Sequence, residues 1–188
     1  MIRNYENDYR AIFLYTISML HLKDTISKIQ NSKGTLFIMC GFPYAGKSYV
    51  ARELQQHVDI AVIAIDDIFK ANGFDWDTNV LPNNEEWEEI FNESYQLVKD
   101  NLRKGKSVLY DSTNQTIASR DKLREIATSA GADTCVLYIK TPIETVWKRW
   151  ENNINNPQRS VVGRELVQQT IDVFEEPMQQ EGVHIITN

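Results

Sequence analysis

The segment Gly41-Phe-Pro-Tyr-Ala-Gly46-Lys47-Ser48 constrains this chain more than any other stretch. It follows the spacing GxxxxGK[ST], directly after the apolar run Thr35-Leu-Phe-Ile-Met-Cys40, and a helical pattern opens at Lys47. A strand that turns through such a loop into a helix needs glycine where the backbone bends tightly and presents its N–H groups. Those amides, with the positive end of the helix behind them, suit phosphate oxygens. Lys47 is placed to reach β- and γ-phosphates, and the Ser48 hydroxyl is placed to ligate Mg²⁺. The expected nucleotide-binding set is Gly41, Tyr44, Ala45, Gly46, Lys47, Ser48 and the adjacent Tyr49, with ATP and Mg²⁺ as the ligands.

The rest of the chain fits a sheet around that loop. Short apolar runs recur at 35–40, 60–65, 107–111, 134–139 and 183–186, and helical patterns fill 47–57, 84–104, 116–130 and 142–153. Continuous apolar strands alternating with helices mark a parallel sheet covered on both faces. The expected fold is α/β: a three-layer P-loop NTPase with a five-stranded, mostly parallel sheet and an N-terminal helical extension. The extension covers residues 1–33 and the P-loop domain 34–188. Residues 5–30 read as a helix that packs on the sheet or on a second subunit, so a homodimer is one of two arrangements open to it. Thr141-Pro-Ile-Glu144 reads as a helix opening, with threonine as cap.

Composition excludes several classes. A formal net charge of −6 speaks against a broad nucleic-acid-coating surface, though not against a nucleic-acid end as substrate. The apolar stretch 11–20 is too short to span a bilayer and has no cleavage-site pattern, so the expected location is the cytoplasm, with no membrane partner. Cys40 and Cys135 lie in separate apolar runs and read as buried thiols.

Carboxylates close two of the strands. The second ends in Asp66-Asp67, where one carboxylate can take a proton from an acceptor and the other can orient substrate or metal-bound water. Capping of the following helix is the plainer role for this pair. The third strand ends in Asp111-Ser-Thr-Asn114, which suits Asp111 to holding Mg²⁺ through water or fixing an arginine. A turn capped at Thr116 is the plainer reading there. Lys148, Arg149, Arg159 and Arg164 form a basic stretch interrupted by Asn152, Asn153, Asn155, Asn156 and Pro157. It reads as a lid whose arginines, Arg149 and Arg159 first, stabilise charge on a transferring phosphoryl group. A solvated basic face is the alternative.

These residues together resemble the family of 5′-polynucleotide kinases, chloramphenicol phosphotransferases and zeta-toxin kinases, over roughly Gly34 to Pro177. The resemblance implies that Asp66 is the general base, with Lys47, Arg149 and Arg159 as the other catalytic groups. It implies a substrate side made of Asp67, Asp111, Asn114 and Arg120, and metal coordination by Ser48 and Asp111. The partners implied are a nucleotide and an unidentified hydroxyl acceptor. Polynucleotide kinases often carry an arginine shortly after the acidic pair; here Ile68-Phe-Lys-Ala-Asn72 offers only Lys70. The insert Gly73–Pro82 adds Phe74, Asp75, Trp76 and Asp77, which either favour a small polar or cationic acceptor or pack the loop. Besides a kinase, the sequence admits a regulatory nucleotide-binding protein and a toxin-like sugar-nucleotide kinase.

Overall fold

The computed structural model describes residues 22–32, 34–155 and 160–187. The expected helix before residue 22 and the lid residue Arg159 lie outside them. Every residue of β1 (Thr35–Cys40) is buried, as a strand covered on both faces requires. It pairs in parallel with β3 (Val108–Asp111) on one side and β4 (Asp133–Lys140) on the other. β2 (Ala61–Ala64) and β5 (Val183–Thr187) form the edges, giving the order β2-β3-β1-β4-β5, parallel throughout.

Alternate residues of these strands enter opposite layers, because successive strand side chains point to opposite faces. Phe37, Met39, Leu109, Leu137 and Ile139 face one core, which residues 22–30 (α1) enter through Leu22 and Ile29. The same core takes in α2 (Lys47–His57), α6 (Ile143–Asn155) and α7 (Arg164–Asp172). Leu36, Ile38, Val108, Tyr110 and Val136 face the other, with α3 (Ile65–Ala71), α4 (Asn84–Arg103) and α5 (Ile117–Ser129). The fold is therefore the expected three-layer α/β, and the described part of the N-terminal extension packs on the sheet. Both cysteines are buried free thiols.

Local sequence explains the element boundaries. Asn83 caps α4 by accepting from the amides of Glu85 (2.9 Å) and Glu86 (3.0 Å), while the Glu86 carboxylate accepts from the Asn83 amide. Thr116 and Ser119 cap α5 in the same reciprocal way. Two elements differ from expectation. β2 stops at Ala64, so Asp66 and Asp67 stand in the first turn of α3 rather than at a strand end. α7 lies in a stretch with no expected helix; its buried residues are only Val167 and Thr170, too short a pattern to declare itself.

Candidate nucleotide site

The loop after β1 is shaped for an anion. Gly41 (φ 152°), Tyr44 (φ 62°) and Gly46 (φ 103°) turn it through conformations that L side chains rarely adopt. Gly46 is the N-cap of α2 and supplies no side-chain cap, so the helix meets the loop with its leading amides uncovered by a cap side chain. The Gly41 amide donates to the Thr113 carbonyl at 3.1 Å, which sets where the loop departs from the sheet. A Cβ on Gly41 would stand 2.9 Å from the Ile139 carbonyl of β4. Gly41→Ala is therefore expected to destabilise the fold by about 2 kcal/mol or more, as read by urea unfolding. It is also expected to displace the loop.

The charged groups converge at the carboxyl ends of the strands, where open parallel sheets form their ligand crevice. Lys47 Nζ donates to the carbonyls of Gly41 (3.0 Å) and Phe42 (2.8 Å). Burial pushes the Asp111 carboxyl above the usual range; Lys47 opposes this, Asp66 adds to it, and a hydrogen bond from Ser48 opposes it again. Asp67 contributes a smaller upward push. Asp111 thus feels Lys47, Ser48, Asp66 and Asp67 together, which are residues the sequence scatters over more than sixty positions. Asp66 and Asp67 are exposed. They also sit where a helix N-terminus favours negative charge.

The far rim is built by α6 and the segment after it. Arg149 Nη1 donates to the carbonyls of Tyr44 (3.2 Å) and Ala45 (2.9 Å), so this expected lid arginine grips the phosphate loop. The Thr141 hydroxyl, expected at the helix cap, reaches across and donates to Ala45 at 3.0 Å. The Val162 amide donates to the Tyr44 hydroxyl at 3.2 Å, and Trp150 Nε1 donates to the Val162 carbonyl at 2.9 Å. Arg164 stacks over Trp147 and Trp150, with its guanidinium carbon 4.6 and 5.3 Å from the ring centres. Tyr49 is half exposed on the first turn of α2.

Two residues expected on the substrate side have structural duties. Arg120 is wholly buried. Its Nε and Nη2 form a fork on Glu181 at 2.7 and 3.1 Å, and its Nη1 donates to the Asn114 carbonyl at 3.0 Å. No surface of it remains for a ligand to touch, which corrects the substrate-side expectation. Asn114 is 5% exposed, and its Nδ2 donates to the Met39 carbonyl at 2.6 Å. Glu181 is the residue that sequence reasoning missed. It is 61 positions from Arg120 and carries no local signal.

Burial pushes the Glu181 carboxyl up. Hydrogen bonds from Arg120, the Met178 amide and Arg124 outweigh this and hold it at about 2, against an ordinary 4.5. A carboxyl depressed on folding stabilises the native state above its unfolded value and loses that stabilisation as pH falls. Stability is therefore expected to be fully supported by this group above about pH 4.5 and to decline as pH falls toward 2. The decline is about 3 kcal/mol and is measurable by urea unfolding across that range. The Glu181→Gln variant should show a correspondingly flatter profile.

The insert 73–82 is packed rather than open. Phe74 and Trp76 lie 5.7 and 4.9 Å from the buried Phe69 ring, and Trp87 extends the stack. Asp75 accepts from the Asp77 amide and the Thr78 hydroxyl within the loop, and Asp77 accepts from the Val161 amide at 2.9 Å. Of the two readings of the insert, packing is the one these contacts support.

The fold and the loop geometry define a P-loop NTPase. Residues 35–182 match the family model described as chromatin associated protein KTI12, and the chain belongs to that family. It is similar in structure to Kti12 of Chaetomium thermophilum in complex with ADP-AlF3, at 17% identity and a TM-score of 0.60. That match covers 81% of this chain and 88% of that one. A sugar kinase from Janibacter sp. HTCC2649 matches at 15% identity and a TM-score of 0.61, covering 81% and 84%. A chain of the Pnkp1/Rnl/Hen1 RNA repair complex matches at 21% identity and a TM-score of 0.64, over 74% of this chain and 43% of that chain. At such identities the likeness is one of fold, and it is the fold of P-loop kinases. No curated protein matches the chain in sequence. Among the described residues, no helix is long and apolar enough to cross a membrane.

Proposed function

We propose that the chain binds ATP with Mg²⁺ at the Gly41–Ser48 loop and passes the γ-phosphoryl group to a hydroxyl acceptor beside Asp66. The observation that carries this reading is positional: Asp66 and Asp67 open α3 just past Ala64, the β2 residue in register with Asp111 of β3, at the same carboxyl edge of the sheet where Lys47 and Ser48 open α2. A loop that only stores nucleotide has no use for a pair of carboxylates beside Asp111 at its mouth. Likeness to Kti12 in complex with ADP-AlF3 supports the nucleotide. The sugar kinase and the Pnkp1 complex support a hydroxyl as acceptor.

The residues fit Mg²⁺. Ser48, in the first turn of α2, and Asp111, at the end of β3, offer hard oxygen ligands. Among the described residues no group of three or more His, Cys, Asp or Glu could hold a metal alone. That suits an ion carried by nucleotide phosphates and completed by one or two protein oxygens. When bound, the ion neutralises charge on the phosphates.

In this reading Lys47 turns from the Gly41 and Phe42 carbonyls to the β- and γ-phosphates. Asp66 accepts the acceptor's proton as the acceptor oxygen bonds to the γ-phosphorus, and the bond to the β,γ-bridging oxygen breaks to leave ADP. Asp67 orients the acceptor. Arg149, held at the loop rim, and Arg159 stabilise the charge that builds on the transferring group.

A second reading is a nucleotide-driven switch, in which water takes the phosphoryl group. The Tyr44–Val162 and Asp77–Val161 hydrogen bonds favour it, because they tie the phosphate loop to the insert through residues 160–162. The two are separated by incubating the protein with γ-labelled ATP and Mg²⁺ against 5′-hydroxyl DNA and RNA, nucleosides, aminoglycosides, amino sugars and a metabolite extract. Label on one acceptor supports the kinase. Label released only as inorganic phosphate, whatever acceptor is present, moves the assignment to the switch.

A further inference from the structure

Two residues left without a substrate to touch stand in a network that joins the phosphate loop to the strand carrying Asp111. Asn114 has φ 44°, in the left-handed region that asparagine tolerates better than most residues. That turn aims its side chain back at β1, where Nδ2 donates to the Met39 carbonyl at 2.6 Å. Its own carbonyl accepts from Arg120 Nη1 at 3.0 Å and from the Cys40 thiol at 3.3 Å. One residue earlier, the Thr113 carbonyl accepts from the Gly41 amide at 3.1 Å. The last residues of β1, the first glycine of the loop and the turn after Asp111 are thus fastened at three successive residues, through the Met39 carbonyl, the Cys40 thiol and the Gly41 amide. Arg120 closes the fastening from behind and is itself fixed by its fork on Glu181. Glu181 is in turn fixed by the Met178 amide and by Arg124.

We propose that Asn114, clamped by Arg120, is a positioning residue that sets the spacing between the Gly41–Ser48 loop and Asp111. Neither side chain reaches the crevice; each acts through backbone. A buried polar network of this kind has few alternative arrangements once every member is satisfied. If the turn slips, Gly41 loses its partner and Asp111 moves relative to Ser48, although the fold's two cores remain filled. The proposal rests on the ATP·Mg²⁺ reading of the site, so its test must separate the two.

The affinity of a fluorescent ATP analogue with Mg²⁺ is measured for wild type, Asn114→Gly, Arg120→Lys and Arg124→Gln, each at a temperature where unfolding curves show it folded. Asn114→Gly keeps the left-handed turn and removes the Met39 hydrogen bond. Arg120→Lys keeps a charge beside Glu181 and loses the forked geometry. Both are expected to weaken the folded protein's affinity by about tenfold or more, as loss of an orienting outer partner does at metal sites. Arg124→Gln loosens Glu181 without touching Asn114; it should lower Tm and leave affinity within about twofold of wild type. Affinities unchanged in Asn114→Gly and Arg120→Lys, or lost equally in Arg124→Gln, overturn the proposal, because binding would then follow stability alone. Should Asn114→Gly and Arg120→Lys fail to fold, or wild type fail to bind the analogue, hydrogen exchange at the Gly41 amide of wild type decides. Strong protection without nucleotide upholds the fastening, and rapid exchange refutes it. Failure of wild type to bind counts against the ATP reading only.

Discussion

Lys47→Ala is expected to lower the rate of γ-phosphoryl transfer by about a thousandfold while leaving the protein folded. Lys47 counters the effect of burial on the Asp111 carboxyl. Its ammonium now rests on the Gly41 and Phe42 carbonyls, an arrangement that water can replace at little cost once the side chain is removed. What water cannot replace is a positive charge beside a β,γ-bridging oxygen as the bond to it breaks. The loss should therefore appear in transfer far more than in stability. Labelled ATP at matched occupancy measures the first, and thermal unfolding the second. Removing the lysine also takes away the group that holds the Asp111 carboxyl down, so any residual activity should shift to higher pH.

Glu181→Ala is expected to destabilise the fold by about 3–5 kcal/mol. The Arg120–Glu181 pair has side-chain exposures of 0% and 4%, so neither charge can turn to water when its partner is lost. Truncating Glu181 leaves the Arg120 guanidinium buried with only the Asn114 carbonyl and the Cys40 sulfur to meet it. For a chain of this length such a loss corresponds to a fall in Tm of roughly 10 °C. Replacing both partners, as in Arg120→Met with Glu181→Leu, should recover much of the stability, because it removes the stranded charge. The double variant should not recover nucleotide affinity, since the clamp on Asn114 stays open. Stability and affinity would then separate within one set of proteins.

Sequence legibility followed how local each signal is. The phosphate loop, most of the apolar strands, the start of α4 and the Thr116-capped start of α5 each lie within a few consecutive residues and stand where expected. Asp66 and Asp67 lie at the carboxyl edge of the sheet as expected, although the helix begins at Ile65, a one-residue difference that periodicity does not resolve. Arg120 gives no such local signal, because an arginine near a polar turn looks the same in sequence whether it faces solvent or a glutamate 61 residues later. Thr141 reads as a cap from the residues that follow it, while the Ala45 carbonyl that its hydroxyl reaches is 96 positions away. The aromatic residues of the insert carried two meanings, and only the position of Phe69 beneath them chooses between them.

In the proposed kinase, Asp66 takes the proton of the acceptor hydroxyl. The most direct test of that role compares the single-turnover rate of γ-phosphoryl transfer for wild type and Asp66→Asn at saturating ATP·Mg²⁺, with ATP affinity measured alongside. A general base at Asp66 predicts a rate lower by about 10²–10⁴-fold, with ATP affinity within a few-fold of wild type. Equal rates in the two proteins would contradict it and leave Asp66 as a helix-start residue beside a nucleotide switch.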